Sequence, residues 1–359
     1  MKIRIFIGAL VAAFLLSSGM VVKDAKADSI LFPWVAKGGA VSTLISVVNT
    51  ADLDPDEDQQ IHYQYWYKKT TDNGQCEVCE NYSFTRPTSK DDIVTFDACG
   101  NINDGKALYD EEARYDDDSF HLKVESPRRA FLIVDNDELD DAEDGTLYGE
   151  AMVLELAGGS AWGYVAYNPA GEDANNFEDG NDLLGEVIGT TEMTQTVLLS
   201  PDQGTTRFFI TPICNNATSQ RDGDIDGQMY LTAWEEQGMY DNDENVIDFA
   251  KKKSVVCTAG ADLEHLIGEG AFNEFKDTGG QGWAYVRVTG NVPPTCSEVQ
   301  NDDGIDCSGM MIGKLKYTTN GITFSDTDVP GTFNNFVLLR DSESVAGDGG
   351  INGIHNNSD

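Results

Sequence analysis

Gln60-Ile61-His62-Tyr63-Gln64-Tyr65-Trp66-Tyr67 is the stretch on which the fold turns. Ile61, Tyr63, Tyr65 and Tyr67 share one face of an extended chain, and His62, Gln64 and Trp66 share the other. A period of two in β-branched and aromatic text marks a half-buried strand and matches no helical stripe. Text of the same kind recurs at 129–134, 147–156, 161–167, 205–210, 228–234, 283–289, 310–317 and 332–339, with turn residues between. Short strands at such spacing point to a sandwich or barrel. Helical spacing shows only in 261–275, where Leu263, Leu266 and Ile267 align and Gly268 and Gly270 interrupt. An all-β protein with one short helix is expected.

The strand text also repeats in order. Val47-Val48-Asn49-Thr50 leads through acidic residues to Gln60…Trp66, and Ile213-Cys214-Asn215-Asn216 leads through acidic residues to Gln228…Trp234. The Gln-to-Trp spacing is the same in both. Phe131–Asn136 then leads to Asp144-Gly145 and a Gly-led strand from Gly149, and Tyr285–Asn291 leads to Asp303-Gly304 and a Gly-led strand from Gly309. The expected architecture is two tandem immunoglobulin-like or jelly-roll-like β-sandwiches at 28–200 and 201–345, joined near Ser200-Pro201-Asp202-Gln203-Gly204, with a polar tail at 346–359.

Residues 1–27 read as a secretory signal peptide. Lys2 and Arg4 precede an apolar run from Ile5 to Val22, and Ala25-Lys26-Ala27 forms a small-x-small cleavage site before Asp28. No membrane span is expected after cleavage, and the mature chain is expected in the periplasm, at the cell surface or outside the cell. The whole chain carries a formal charge of −38, and removing the leader, net +3, leaves −41. A field of that sign repels nucleic acid and anionic headgroups and attracts cations. Aliphatic runs such as Phe131-Leu132-Ile133-Val134 still demand a buried core.

Ile30-Leu31-Phe32-Pro33, then Gly38-Gly39, then Ser42–Thr50 form an aromatic-Pro pair, a Gly turn and a Thr-led apolar strand ending in Asn. With the Gly149–Tyr167 stretch, this opening resembles uncharacterised secreted bacterial surface proteins. The resemblance implies immunoglobulin-like sandwiches at or beyond the outer surface, and it brings no catalytic residues.

Seven cysteines in an exported chain argue for disulfides. Cys296–Cys307 is the expected local pair and Cys214–Cys257 the long-range pair of the second copy. Cys79–Cys99 is expected in the first copy, with Cys76–Cys99 as its alternative, and one cysteine is left over. In Cys76-Glu77-Val78-Cys79 the next residue is Glu80 and not His, which excludes haem attachment. A thioredoxin-like pair would need a helix start, and zinc would need a fourth soft ligand beside Cys76, Cys79 and Cys99, for which His62 is the nearest His.

Asp222, Asp224 and Asp226, with Gly223 and Gly227 between them and Gln228 following, are candidate calcium ligands: alternate oxygen donors on a Gly-turned loop are what Ca²⁺ takes. Ala233 stands where an EF-hand places its bidentate Glu, so any such site is a loop between strands. Asp52, Asp54 and Asp56 repeat the alternation in the matching loop of the first copy. Asp135-Asn136-Asp137 and Asp241-Asn242-Asp243 are weaker versions, and Asp-rich turns are also ordinary hairpin chemistry.

The chain has four His, no Gly-x-Ser-x-Gly elbow, no His-Glu-x-x-His helix and no phosphate-cradling Gly loop. No enzyme is expected, although two carboxylates across a cleft would suffice for a glycoside hydrolase. The expected role is structural or adhesive at the cell surface, with itself or other surface proteins as partners and calcium as a candidate stabiliser. The alternative is a carbohydrate-binding module. Trp66, Tyr63, Tyr65, Trp162, Tyr164, Trp234, Trp283 and Tyr285 are its candidate platform, and an exposed coplanar row would favour it.

Overall fold

The computed structural model describes residues 29–50, 60–70, 77–109, 119–125, 128–136, 147–155, 160–167, 187–190, 192–199, 205–214, 226–234, 237–289, 307–317, 322–323, 330–331 and 334–339. The leader, the polar tail, Asp52, Asp54, Asp56, Asp222, Asp224, Cys76 and Cys296 lie outside the described residues, as do the side chains of Asp226, Cys214 and Cys307.

The first half holds β1 (Ser29–Lys37), β2 (Val41–Asn49), β3 (Gln60–Thr70), β4 (Glu77–Pro87), β5 (Asp92–Asp97), β6 (Ala107–Tyr109), β7 (Arg128–Asp135), β8 (Leu147–Glu155) and β9 (Ser160–Val165). They form a front sheet, β1-β7-β3-β4, and a back sheet, β6-β5-β2-β8-β9, with every pairing antiparallel. The alternation of 60–67 is realised as read. Ile61, Tyr63 and Tyr65 are fully buried between the sheets, where Tyr63 packs edge-on against Phe96 of the back sheet at 6.0 Å. Gly149 of β8 lets the sheets approach, since a Cβ there would lie 2.4 Å from the Phe32 ring. Phe120 and Leu122, from the segment between β6 and β7, also enter this core: Phe120 stacks on Phe96 at 4.9 Å and accepts the Tyr65 hydroxyl on its carbonyl at 2.9 Å.

The second half holds β10 (Ile188–Gly189), β11 (Thr194–Leu199), β12 (Thr205–Cys214), β13 (Asp226–Thr232), β14 (Met239–Asp241), β15 (Val246–Ile247), β16 (Lys252–Val256), β17 (Ala259–Asp262), α1 (Leu263–Ile267), α2 (Glu269–Asp277), β18 (Gln281–Thr289), β19 (Cys307–Tyr317), β20 (Ile322–Thr323), β21 (Pro330–Gly331) and β22 (Asn334–Leu339). Its front sheet runs β11-β18-β13-β16 and its back sheet β17-β12-β19-β22, again antiparallel. These eight strands follow the order of the first half, while β14 and β15 extend the second front sheet, β10 joins the second back sheet and β6 extends the first, each without a counterpart. Phe208, Ile210, Met310 and Ile312 of the back sheet pack with Met229, Leu231, Val286 and Val288 of the front sheet.

Two expectations are corrected here. The join does not fall at 200–204, because β10 pairs with β19 and β11 with β18. The second sandwich has therefore begun by Ile188. The expected helix is two: α1 and α2 break at Gly268, whose φ of +88° suits only glycine comfortably. Leu263, Leu266, Ile267, Phe272 and Phe275 close the core at the place in the order where Phe120 and Leu122 close the first. Among the described residues no helix is long and apolar enough to cross a membrane.

Candidate functional site: a closed sheet face and its open counterpart

The second sandwich keeps a core of its own, and a separate apolar cluster, the core of the first, continues across the joint. It runs from Trp34, Trp162 and Tyr164 of the first to Phe209, Met311 and Leu315 of the second. Phe336 on β22 stacks on Trp162 at 4.6 Å and meets Trp34 edge-on at 5.1 Å, while Phe209 lies 4.8 Å from Trp162. The Tyr164 hydroxyl donates to the Trp34 carbonyl at 2.6 Å and accepts from the Trp34 N–H at 3.3 Å. Full burial drives the Tyr164 pKa well above its ordinary value, so this hydroxyl stays neutral. Thr211 Oγ1 donates to the Pro33 carbonyl at 2.7 Å, from one sandwich to the other.

Two glycines let the surfaces close. A Cβ at Gly313 would meet the Phe336 ring at 2.4 Å and Trp34 at 3.0 Å, and one at Gly260 would meet the Arg129 guanidinium at 2.9 Å. A gap of about 10 Å³, room for one water molecule, lies between Trp34, Trp162, Arg129 and Phe209.

Cations collect at the rim of this joint, in a chain with 24 Lys and Arg against 62 Asp and Glu. Arg207 is forked onto Asp262 at 2.8 and 3.3 Å, with Glu155 of the first sandwich at 4.0 Å. Burial, then the Arg207 charge, lowers the Arg129 pKa, and Asp262 opposes this. Burial, with Lys68 and Arg129 nearby, lowers the pKa of Lys253.

A disulfide staples the joint. Cys79 bonds to Cys257, 178 residues away, linking β4 of the first sandwich to the β16–β17 turn of the second. This corrects both the Cys79–Cys99 and the Cys214–Cys257 pairings. Cys99 is a free thiol, buried, with its Sγ against the Ala36 carbonyl at 2.8 Å. Burial and then the Asp97 carboxylate push its pKa up to about 12. Asp97 is itself held by Ser42 Oγ and by the Cys99 and Ile102 N–H groups. A buried neutral thiol is a packing group and not a linker between chains. The Cys296–Cys307 pairing lies outside the described side chains, and Cys214 stands opposite Cys307 in the β12–β19 ladder.

The staple lands beside an aromatic stack. Trp66 and Phe131 are ladder partners on the outer face of the first front sheet, stacked at 6.2 Å and 14°. Cys79 lies opposite Lys68, two residues beyond Trp66, and Arg129, two residues before Phe131, donates to the Gly260 carbonyl at 3.5 Å. Both neighbours of the stack therefore engage the second sandwich, and Trp66 is 1 % exposed.

The same face of the second sandwich is open. Tyr240 of β14 is the ladder partner of Trp283, and the two rings stack at 4.4 Å and 24°. Trp283 meets Tyr285 at 5.5 Å and 70°, and Trp234 meets Tyr285 at 5.4 Å and 63°. Trp234 is 53 % exposed, as is Val197, which stands opposite Trp283 on β11. Gln195 donates to the Tyr285 hydroxyl at 3.2 Å. The rings form a ridge of edges and faces, not the coplanar row that sugar stacking favours. Of the expected platform, Tyr63, Tyr65, Trp66, Trp162 and Tyr164 are core residues, and Tyr285 is buried as well, while exposed Trp234 and half-buried Trp283 meet it here with Tyr240, which sequence reading missed.

Gln228 sits within β13 between Ser254 and Thr289. Asp241 is tied up by its own turn: Oδ1 accepts the Asp243 and Asn245 N–H groups, both at 2.8 Å. Bonds from Asn245 and Asp243 hold its pKa down against desolvation, which acts in the opposite direction. No family model, no curated protein and no solved structure matches this chain.

Proposed function

We propose that the chain is an exported, non-catalytic structural protein of the cell surface, built as two copies of one ancestral sandwich and working through its sheet faces. The joint carries this reading. A disulfide, an aromatic cluster that crosses the joint and the Arg207–Glu155 ion pair at its rim bind two like units together, a construction suited to transmitting load and not to opening a cleft. The exposed aromatic ridge suits protein contact better than sugar, because its neighbouring rings stand at 63–70°. A carbohydrate-binding module is the second reading, favoured by the Tyr240–Trp283 stack. Calcium, held by Asp222, Asp224, Asp226 and Gln228 or by Asp52, Asp54 and Asp56, belongs to the proposal as a stabiliser of the loops between strands.

The test is where the protein sits and in what form. Cell fractionation with surface proteolysis is expected to find it outside the inner membrane, without residues 1–27. Light scattering without reductant, in calcium and then in chelator, is expected to show a larger mass in calcium. A protein retained in the cytoplasm contradicts the reading, and an unchanged monomer that binds a glycan favours the alternative.

A further inference from the structure

Among the described residues, four large apolar side chains are exposed: Val197, Trp234 and Val337 at 53, 53 and 42 %, and Ile93 at 53 %. Matching the two sandwiches strand by strand shows what these positions do in the other copy. Ile45 and Ile210 correspond, each inward and each followed by a bridged hydroxyl pair, Ser46–Thr95 at 2.8 Å and Thr211–Thr258 at 3.1 Å. Ile45 pairs with Ala151 and Ile210 with Ile312, so Val153 matches Lys314 two residues on. Their partners on the next strand are Trp162 and Val337. Val197, opposite Trp283, takes the place of the Pro33-Trp34 bulge beside Phe131. Trp234 ends the second Gln-to-Trp run as Trp66 ends the first. All three are thus counterparts of residues that the first sandwich buries in or beside the joint.

Ile93 completes the set from the other side. The surface that the second sandwich offers to the joint is the outer face of its back sheet, where Phe209 enters the apolar cluster of the joint and Thr211 bonds to both Thr258 and the Pro33 carbonyl. Thr95, bridged to Ser46, matches Thr258, bridged to Thr211, and Ile93 stands two residues before Thr95 on the outer face of the first back sheet. The joint consumes one face of each kind, and the remaining face of each kind carries exposed apolar residues, Ile93 on one and Val197 and Trp234 on the other.

We propose that a second copy of this chain occupies the remaining faces. The back sheet of its first sandwich, around Ile93 and Thr95, seats on Val197, Trp234, Trp283 and Val337 and repeats between molecules the joint that exists within one. The contact is heterologous, so it does not close at two and builds an open head-to-tail stack. The charge of −41 on the mature chain opposes stacking at low salt, and screening by salt or cations relieves it. This deepens the structural reading above and rests on it.

The experiment mixes two single-face variants of the mature chain. Trp234→Glu spoils one face and keeps the other, and Ile93→Glu does the reverse. Sedimentation of the wild type at rising concentration is expected to give a series extending past the dimer. Each variant alone is expected to associate at least about 30-fold more weakly, and an equal mixture to form a heterodimer that grows no further. Val197→Glu is expected to behave as Trp234→Glu does, which guards against one variant misfolding. A wild type that is monomeric at every concentration, one that stops at a dimer, or variants that do not complement each other would overturn the stack. A monomer found at the cell surface would overturn the stack alone, whereas a complementing pair from a cytoplasmic protein would overturn the surface role alone.

Discussion

The two sandwiches share the order of eight strands and differ in what their front sheets face. In the first, the Trp66–Phe131 stack is buried beside the Cys79–Cys257 staple. In the second, the Tyr240–Trp283 stack and Trp234 look outward. The sheets themselves do not dictate that difference, since both carry a stacked aromatic pair on the outer face of the front sheet, Trp66–Phe131 between β3 and β7 and Tyr240–Trp283 between β14 and β18. Neighbourhood decides it: one copy has the other to lie against. Inside the sandwiches the contrast runs differently. Phe32 and Val153 face the core of the first, and their counterparts Thr196 and Lys314 face that of the second, with Lys314 Nζ donating to Thr196 Oγ1 at 2.6 Å. The second copy thus buries an amine where the first buries hydrocarbon.

The largest test of the comparison removes the staple. Cys79→Ser or Cys257→Ser reopens a loop of 178 residues, and chain entropy puts the loss at about 5 kcal/mol. Thermal unfolding is expected to separate into two transitions, one per sandwich. A single unshifted transition would show that the apolar cluster across the joint suffices alone. Next comes the pair of tryptophans. Trp66→Ala is expected to cost about 4 kcal/mol as a large core truncation, and Trp234→Ala less than about 0.5 kcal/mol as an exposed change. Equal losses in denaturant melts would break the distinction between closed and open faces.

Lys314 gives a smaller effect with a definite sign. Burial, with Lys316 adding to it, lowers its pKa from 10.5 to about 8. Below about pH 8 the amine is charged in both states and the folded protein bears the cost of burying it; above 10.5 it is neutral in both. Its contribution to stability therefore rises with pH across that window, by about 3 kcal/mol. Lys314→Met with Thr196→Val, copying the apolar pair of the first sandwich, is expected to raise stability at neutral pH and to flatten this rise relative to wild type. The smallest effect is chemical: Cys99 is expected to resist alkylation in the native protein and to react only on unfolding, and rapid native labelling would contradict its burial.

Much of this was legible in the sequence, and the misses have physical causes. Gln60–Tyr67 revealed its strand because each side chain reports its face. The equal Gln-to-Trp spacing points to like strands in the two halves, and Ile61 and Tyr63 of the one and Met229 and Leu231 of the other do face inward. The join was misplaced because Thr194-Gln195-Thr196-Val197 has two polar residues at inward positions, Thr194 and Thr196, which mutes its alternation. The disulfide is not legible because cysteine spacing favours pairing within each half, while the bond joins the two halves. Nothing in the text of Gln60…Trp66 and Gln228…Trp234 foretells that one tryptophan is covered and the other bare. That is a property of the joint, and the joint is written in residues far from either.

The most direct measurement of the central claim is oxidative footprinting of the tryptophans at rising protein concentration. Trp34, Trp66 and Trp162 are expected to stay protected throughout, while Trp234 reacts readily in dilute solution and becomes protected as the stack forms. A Trp234 that reacts equally at every concentration, or a Trp66 that reacts alongside it, would contradict the account.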